Sequence, residues 1–452
     1  MPQHDMIIAN ANFPTLRADV NDALAALVAN SSGATAPATT YSYQWWADTT
    51  TGLLKIRNAA NSAWLIVCDL ATGAPVLGAG AALVFEGTTD DAFETTLTVV
   101  DPTADRAIAL PNQSGTLALL SDIGSARGSF YKADPTTVAF TKTGAGTAEI
   151  KAGTIIDVAG TTVTFSGATS ITMPTLTAGT DYAIWLKSDA TIQATTDFVS
   201  APGAGNWRKI GGFHYAPGGN ATGVAGGDTT AAINAYSLWD LKFRPACPDP
   251  RGMTLVADSF WSDIYLCGVD HLTNGTSKYN VTIADGSSPP KIPTKFGGNG
   301  STAYSTLNWW EAAEVMQSWG KRLPTYDEFA AMAYGTTEAQ SSEGSDVPTT
   351  GVNGTGYTNT WNEFTSKWGA IQSTGCLYVW GAEFGGGAAS AAWTANTGGR
   401  GSTYQMESAA LFGGYWGNTS SSGSRASGWS NSPTASSGSI GVRGVCDHMI
   451  LD

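Results

Sequence analysis

The chain has 452 residues, enough for three or four domains, and only 13% of its residues are charged. Its net charge of −14 argues against nucleic-acid binding, because there is no basic stripe to neutralise phosphates. No apolar run approaches the roughly 20 residues of a membrane span, so membrane insertion is not expected. The many Thr and Gly residues favour an α+β, β-rich protein with tight turns.

The cysteines are few and odd in number, which argues against a disulfide framework. No Cys-x-x-Cys pair suggests a zinc site. We expect buried free thiols in a protein made in a reducing cytoplasm. The five are Cys68, Cys247, Cys267, Cys376 and Cys446.

Residues 1–80 are predicted to form a helix followed by β-hairpins. The helix covers 13–30, where Leu16, Val20, Leu24 and Leu27 recur at helical spacing and Thr15 can cap the start. Alternating apolar and polar residues predict β structure, a fibre repeat, over 81–124.

Several sequence stretches of this region form a distinctive set. They are Tyr43-Gln-Trp-Trp-Ala-Asp48, Leu54-Lys-Ile-Arg-Asn-Ala-Ala-Asn61, Trp64, Phe93-Glu-Thr-Thr-Leu-Thr-Val99, Asp101-Pro-Thr-Ala-Asp-Arg106 and Leu110-Pro-Asn-Gln-Ser-Gly-Thr116. In these stretches the region resembles the N-terminal module of bacteriophage tail-fibre proteins. The resemblance implies attachment to the virion through other phage tail proteins, and a trimeric fibre. We therefore assign 1–124 to a virion-attachment module.

Residues 125–235 show short strand patterns separated by Gly-containing turns, which predict a β-sandwich domain. His214 lies in an apolar and aromatic strand and is interpreted as structural. The predicted strands are 137–141, 149–151, 154–158, 161–165, 170–173, 181–186 and 207–214.

Residues 236–452 contain 11 of the 16 tryptophans and are predicted to form a third domain. Two helices begin at capping-box spacings, Asn308 with Glu311 and Thr325 with Glu328. Long Gly/Ser/Thr loops are expected at 336–360 and 384–403.

The tail of this domain carries one charged side chain, Arg425, between Ser408 and Val442. Small polar residues fill the segment, and two tryptophans interrupt it. Ser, Gly and Asn with isolated aromatics are typical of a recognition loop. The segment ends in an apolar strand, which a disordered linker would seldom contain.

A second set of motifs lies in the third domain. It includes Arg251-Gly-Met253, Phe260-Trp-Ser-Asp-Ile-Tyr-Leu266, Gly320-Lys-Arg-Leu-Pro-Thr-Tyr-Asp-Glu-Phe-Ala330, Trp380-Gly-Ala-Glu-Phe-Gly385, Gly398-Gly-Arg400 and Gly444-Val-Cys-Asp-His448. With these motifs, the third domain and the sandwich resemble the major tropism determinants of phages that carry a diversity-generating retroelement. The resemblance implies a C-type lectin-like last domain, related in fold to formylglycine-generating enzyme, and a homotrimer. It also implies a virion protein that binds a bacterial surface receptor, either protein or glycan.

In that family a variable region, here about 411–448, is diversified at adenines of Asn codons. The resemblance implies a fixed scaffold of Trp416, Arg425, Trp429 and Arg443. Thr419 and Ile440 stay open as further variable positions. The ten receptor-binding, variable positions are Tyr415, Gly417, Asn418, Ser421, Gly428, Ser430, Asn431, Ala435, Ser437 and Ser439.

Enzymatic alternatives have weaker support. A tailspike-like enzyme that degrades surface polysaccharide needs a privileged carboxylate pair, and the sequence shows none. An oxidase needs paired cysteines, and Cys446 is alone in the tail. His271 and His448 each follow an Asp, but no nucleophile motif accompanies them. We therefore predict no catalytic residue, cofactor or metal.

Overall fold

The computed structural model describes residues 3–76, 83–85, 95–97, 130–353, 356–388, 393–395, 400, 402–404 and 407–451. The chain divides into two compact units, Met1–Gly115 and Thr116–Asp452. Each unit is considered separately below.

The first unit begins with helix α1, Phe13–Val28. The cap is Asn12, whose side chain accepts a hydrogen bond from the Thr15 amide, so the predicted capping by Thr15 is wrong. The helix starts at residue 13 as predicted, and Pro14 fits its first turn, where the missing N–H has no intrahelical partner to lose. Its predicted apolar face is exposed, with Leu24, Leu27 and Val28 between 54% and 84% accessible.

An antiparallel meander follows the helix, in agreement with the predicted hairpins. It consists of β1 (Trp45–Asp48), β2 (Leu53–Arg57) and β3 (Trp64–Asp69). Strands β4 (Leu83–Phe85) and β5 (Thr95–Leu97) form a further antiparallel pair. The rest of the fibre repeat predicted for 81–124 lies outside the described residues.

The second unit opens with three antiparallel sheets around one apolar core. The sheets have the orders β10-β9-β6, β11-β8-β7 and β13-β12-β14-β15, with β16 pairing to β14. Strands β6, β13, β15 and β16 were not predicted. β6, β15 and β16 have two residues each, too few to show alternation, whereas β13 does alternate and was missed. The strands are β6 (Phe130–Tyr131), β7 (Phe140–Lys142), β8 (Ala148–Ile150), β9 (Thr154–Val158), β10 (Thr161–Phe165), β11 (Thr169–Ser170), β12 (Thr180–Lys187), β13 (Ile192–Thr195), β14 (Trp207–Ala216), β15 (Ala232–Ile233) and β16 (Trp239–Asp240).

The remainder of the second unit combines short helices with two four-stranded sheets, ordered β17-β26-β19-β18 and β24-β23-β20-β25, and a β21-β22 hairpin. The helices are α2 (His271–Asn274), α3 (Trp309–Ser318) and α4 (Tyr326–Met332). The strands are β17 (Phe243–Pro245), β18 (Met253–Val256), β19 (Phe260–Asp263), β20 (Tyr378–Ala388), β21 (Trp393–Ala395), β22 (Ser402–Tyr404), β23 (Glu407–Phe412), β24 (Ser427–Asn431), β25 (Ile440–Gly441) and β26 (Val445–Ile450).

Both predicted capping boxes are present. Asn308 and Glu311 cap α3 reciprocally, and Thr325 and Glu328 do the same for α4. Each box satisfies N–H groups that a helix start leaves without partners.

The predicted loop at 384–403 is wrong in part, because β20 runs to Ala388 and β21 and β22 form a hairpin. Glycine allows the extension of β20. Gly386 has a φ of +76°, and a Cβ there would lie 2.2 Å from the Trp429 carbonyl oxygen.

A buried polar cluster joins the two parts of the second unit. His214 Nδ1 lies 2.9 Å from Asp181 Oδ1, and His214 Nε2 lies 3.0 Å from the Tyr265 hydroxyl. The same Asp181 oxygen accepts a hydrogen bond from the Gly252 amide. His214 is 1% exposed, so the structural role predicted for it is confirmed.

Candidate functional site

The candidate site is the segment that links β23 to β25, which includes the 3₁₀ turn Thr419–Ser421 and strand β24. Long-range backbone hydrogen bonds fix both of its ends. The Trp416 amide donates to the Cys376 carbonyl at 3.1 Å, and the Tyr378 amide donates to the Ser439 carbonyl at 2.9 Å. Because residues 376–378 hold both ends, the segment is a supported loop rather than a free tail.

All ten predicted variable positions are at least partly accessible. A side chain at such a position can change without leaving a cavity or burying a polar group in the core. Tyr415, Asn418, Gly428, Asn431, Ala435 and Ser439 are half-buried, and Gly417, Ser421, Ser430 and Ser437 are exposed.

The two glycines among these positions do not need to be glycine. Gly417 and Gly428 are outside the left-handed region, whereas Gly413, Gly414 and Gly423 have positive φ. A Cβ at Gly428 would have nothing within 4 Å, whereas one at Gly417 would lie 2.9 Å from the Tyr415 ring, which must shift to admit a side chain. The backbone therefore accepts other residues at both positions.

Tyr415 is the largest side chain in the set. Its ring stacks on Tyr378 at 5.5 Å between centroids and meets Trp416 edge-on at 5.0 Å. Asn418 Oδ1 accepts a hydrogen bond from the Tyr415 amide at 2.9 Å, which closes the turn. Tyr378 thus contacts the first variable position through its ring and the last through its backbone. The residues around Tyr378 in the sequence gave no indication that it contacts the variable segment.

The two predicted scaffold tryptophans pack against the core but are half-buried rather than fully buried. Trp429 meets Phe412 and Tyr326 edge-on, each at 6.2 Å between centroids. The Trp416 carbonyl accepts a hydrogen bond from Ser341 Oγ at 2.7 Å. Both residues are therefore anchored in the fold.

Arg443 is fully buried, and its guanidinium donates to four backbone carbonyls. Burial lowers its pKa to about 10, so it stays charged at neutral pH. The acceptors lie on two separate chain segments, which Arg443 joins. They are the carbonyls of Asp263, Ile264, Ile371 and Gln372 at 2.6–3.3 Å.

Arg425 does not have the expected contacts. It was predicted to belong to the scaffold with the tryptophans, but it is exposed, and within the described residues its guanidinium has no hydrogen-bond or ion-pair partner. Its backbone carbonyl accepts a hydrogen bond from the Tyr326 hydroxyl. The Tyr326 ring, not Arg425, fills the space beside Trp429 and Phe412.

The loop 432–439 is positioned by polar contacts that the sequence analysis missed. The Leu307 amide donates to Ser436 Oγ at 2.9 Å, and the Trp309 amide donates to the Pro433 carbonyl at 3.1 Å. The start of helix α3 therefore supports this loop. Serines within a Ser-rich segment give no sign of which one is fixed.

The residues considered for catalysis have structural partners. His271 lies between the Lys291 carbonyl and the Trp319 indole, and His448 accepts a hydrogen bond from Trp261. The adjacent aspartates pair elsewhere, Asp270 with Lys291 and Asp447 with Arg322. Neither Asp-His pair therefore forms a relay.

Cys446 is not alone, contrary to expectation. The β17–β26 register, continued by two residues, places Cys247 opposite it. A hydrogen bond between the thiols lowers the pKa of Cys446 and raises that of Cys247. Both thiols are at most 3% exposed, which keeps a substrate from reaching them.

Within the described ranges, no group of three or more His, Cys, Asp or Glu residues is arranged to hold a metal ion. Over the same ranges, no helix is both long and apolar enough to cross a membrane.

Comparison with known proteins identifies the family. The chain is 63% identical to the tail fiber receptor-binding protein of Bordetella phage BPP-1 over 325 residues, 72% of this chain and 85% of the relative. The chain belongs to the major tropism determinant family. The family model for the second domain of these proteins matches residues 138–240.

Solved major tropism determinant structures agree with this assignment. The U1 variant superposes with a TM-score of 0.72 at 52% identity, over 91% of this chain and 96% of its own. The P3c variant gives the same TM-score at 51% identity, over the same shares of the two chains. The β-rich fold with few helices is therefore shared with the major tropism determinants.

Proposed function

We infer that this chain is the receptor-binding protein of a phage tail fibre, located in the tail of the virion, and that it acts by adhesion to a host bacterium rather than by catalysis. The support is its 63% identity to a tail fiber receptor-binding protein. The site adds a physical reason. Accessible, replaceable side chains are supported by a buried scaffold, as a recognition surface requires.

The proposed receptor-binding residues are the ten variable positions of the segment 411–448. The observation that supports this choice is their shared accessibility together with the ordinary backbone of Gly417 and Gly428. Such a surface can be changed one side chain at a time with little effect on the fold.

We propose that a retroelement diversifies these positions. Each of the ten residues is reachable from an Asn codon by changes at its adenines. Sequencing of the neighbouring DNA tests this proposal. A near-copy of codons 411–448 that differs where the copy has adenine, beside a reverse-transcriptase gene, is expected. Absence of such a copy would contradict diversification but would leave receptor binding intact.

We also propose a homotrimer with three domains per chain, 1–124, 125–235 and 236–452, and a C-type lectin-like fold for the last. Exposure of the apolar face of α1 supports an assembly contact in the first domain, because such a face gains by being covered. Sedimentation of the intact protein should give three times the mass of one chain. Three linked sites would raise avidity for a surface.

Replacement of Tyr415 by Ala tests the site. The variant should bind host cells more weakly, because the largest accessible ring of the set is lost, while the melting temperature stays close to that of the wild type. Binding of labelled protein to cells that the phage infects is the measurement. Tyr41→Ala, which removes a tyrosine that is 46% exposed and lies in the first unit, outside the variable set, is the matched control. A large fall in melting temperature for Tyr415→Ala would show that Tyr415 is scaffold.

A further inference from the structure

Arg425 lies at a cavity rather than in the scaffold. The cavity has a volume of about 520 Å³, and its walls include Tyr334, Trp368 and Ser424. A second cavity of about 550 Å³, lined by Lys142, Tyr236 and Lys367, meets the first at Tyr334, which lines both. We name the two together the Tyr334 groove.

The cations of the Tyr334 groove lack carboxylate partners. In the part of the chain that the structure describes, Arg425, Lys142 and Lys367 form no ion pair, although acidic residues outnumber basic ones by 37 to 23. Lys367 Nζ lies 4.9 Å from the Trp368 ring centroid, a cation–π contact. Burial lowers the pKa of Lys142. Asp228 interacts electrostatically with Lys142, so Arg425 and Lys367 are the two cations of the groove that are available to an anion.

One carboxylate, Glu338, also lines the first cavity, and its hydrogen bonds to Ser424 fix its position without removing its charge. Glu338 accepts hydrogen bonds from the Ser424 amide at 3.0 Å and the Ser424 hydroxyl at 2.5 Å. Its oxygens therefore face the adjacent backbone turn. The Arg425 side chain remains exposed and free to bind a ligand.

The walls of the groove are aromatic. Tyr334 is 51% exposed, and Trp368 is held in place by its indole N–H, which donates to the Ala331 carbonyl at 2.8 Å. Tyr236 meets Trp368 edge-on at 5.0 Å between centroids, so the tryptophan is fixed before any ligand arrives. Fixed aromatic faces pack on the C–H faces of sugar rings and lose little entropy on binding.

We propose that the Tyr334 groove is a binding site for an anionic saccharide, a sugar that carries a carboxylate or phosphate group. Arg425 and Lys367 would bind the anionic group, and Tyr334 and Trp368 would pack against the ring. The site rests on the proposed function, since such sugars would be met on a bacterial surface. None of its lining residues is a variable position, so every receptor variant would keep it.

The test is titration of the intact protein with glucuronate, glucose 6-phosphate, glucose and inorganic phosphate. Binding of each compound is monitored by tryptophan fluorescence and NMR. The two anionic sugars should bind with a Kd of about 1 mM and weaken with added salt, and neutral glucose should not bind. Comparison of glucuronate with glucose 6-phosphate shows whether the groove prefers a sugar that carries a carboxylate or one that carries a phosphate. Equal binding of phosphate alone would overturn the saccharide assignment.

Matched variants locate the site. Arg425→Gln and Lys367→Gln should each raise the Kd about tenfold, because each removes a charged hydrogen bond. Arg251→Gln, an exposed arginine paired with Asp249, should leave the Kd unchanged. An unchanged Kd in all three variants would overturn the proposal.

Host-cell binding separates the two proposals. Loss of binding in Tyr415→Ala but not in Arg425→Gln, with no sugar bound, would refute the groove and keep the receptor-binding function. Failure of the wild-type protein to bind host cells would refute the function itself.

Discussion

The two arginines predicted to belong to the scaffold, Arg425 and Arg443, have opposite roles in the fold. Arg443 is buried and joins two chain segments through four carbonyls, whereas Arg425 is exposed. An arginine among uncharged residues is a candidate for a specific role. The sequence alone does not show whether that role is packing inside the protein or binding of a ligand. Sequence analysis placed both in the scaffold, and the structure supports this for Arg443 alone.

Substitution of each arginine by Met should show the difference. Arg443→Met should lower the free energy of unfolding by about 3 kcal/mol, because buried carbonyls lose charged donors. Arg425→Met should change it by about 0.5 kcal/mol or less. Denaturant titration of both variants is the measurement, and similar losses in the two would contradict the assignment.

Thr419 has a φ of +46°, in the left-handed region that a β-branched residue rarely occupies. Thr419→Asn should therefore stabilise the protein by about 1 kcal/mol, since Asn tolerates this conformation better. In a unit of this size the melting temperature should rise by about 2–4 °C.

The neighbouring residue supplies the control for Thr419. Ser420 is not in the left-handed region, so Ser420→Asn should give no such gain. Asn is also the residue that the proposed template codon encodes. A gain in melting temperature at position 419 alone would therefore support Thr419 as a further variable position, because its backbone conformation suits the Asn that the template encodes.

At the scale of elements, the parts that were predicted correctly are those with local causes. The caps of α3 and α4 need only residues three apart, so Asn308 and Glu311 could be read directly. The stacking of Tyr415 on Tyr378 could not, because it depends on a parallel bridge between Cys376 and Tyr415, which are far apart in the chain. The exposure of Arg425 could not be predicted either, because it depends on where the ring of Tyr326, about 100 residues earlier in the chain, packs.

Helices α2 and α3 meet at a buried histidine. His271 donates from Nε2 to the Lys291 carbonyl and accepts at Nδ1 from the Trp319 indole, so it is neutral in the native protein. Burial lowers its pKa below 6.5, with Asp270 and Lys291 as the nearest charges. A second proton at Nδ1 would break the Trp319 bond.

This arrangement predicts that stability falls with acidification. The unfolded chain gains a proton near pH 6.5 and the native chain only at lower pH, so the contribution of His271 is present above 6.5 and is lost below it. The melting temperature should fall between pH 7.5 and 5.5. His271→Gln, which keeps a donor for Lys291, should show a smaller fall. Identical falls in the two proteins would contradict this role.

At the scale of the whole second unit, its two parts share buried polar contacts and backbone hydrogen bonds. Besides the His214 cluster, the Ala221 amide donates to the Ser366 carbonyl and the Gly227 amide to the Asn362 carbonyl. We expect β12 and β26 to lose protection from hydrogen exchange at the same temperature.

Mass spectrometry of peptides from the two strands after hydrogen exchange measures this coupling. Tyr265→Phe, which removes the hydroxyl that His214 contacts, should lower the temperature of exchange in both strands together. Separate transitions for β12 and β26 would show that the two parts unfold independently.

The position of β26 has a genetic consequence. This strand lies between β17 and β19 in its sheet, yet it is encoded after the last of the ten variable positions, Ser439. Any insertion or deletion in codons 411–444 that shifts the reading frame replaces Val445–Ile450 with unrelated residues and removes an inner strand. Such a product cannot complete its sheet. The fold thus selects for variant genes that stay in frame before any of them meets a host.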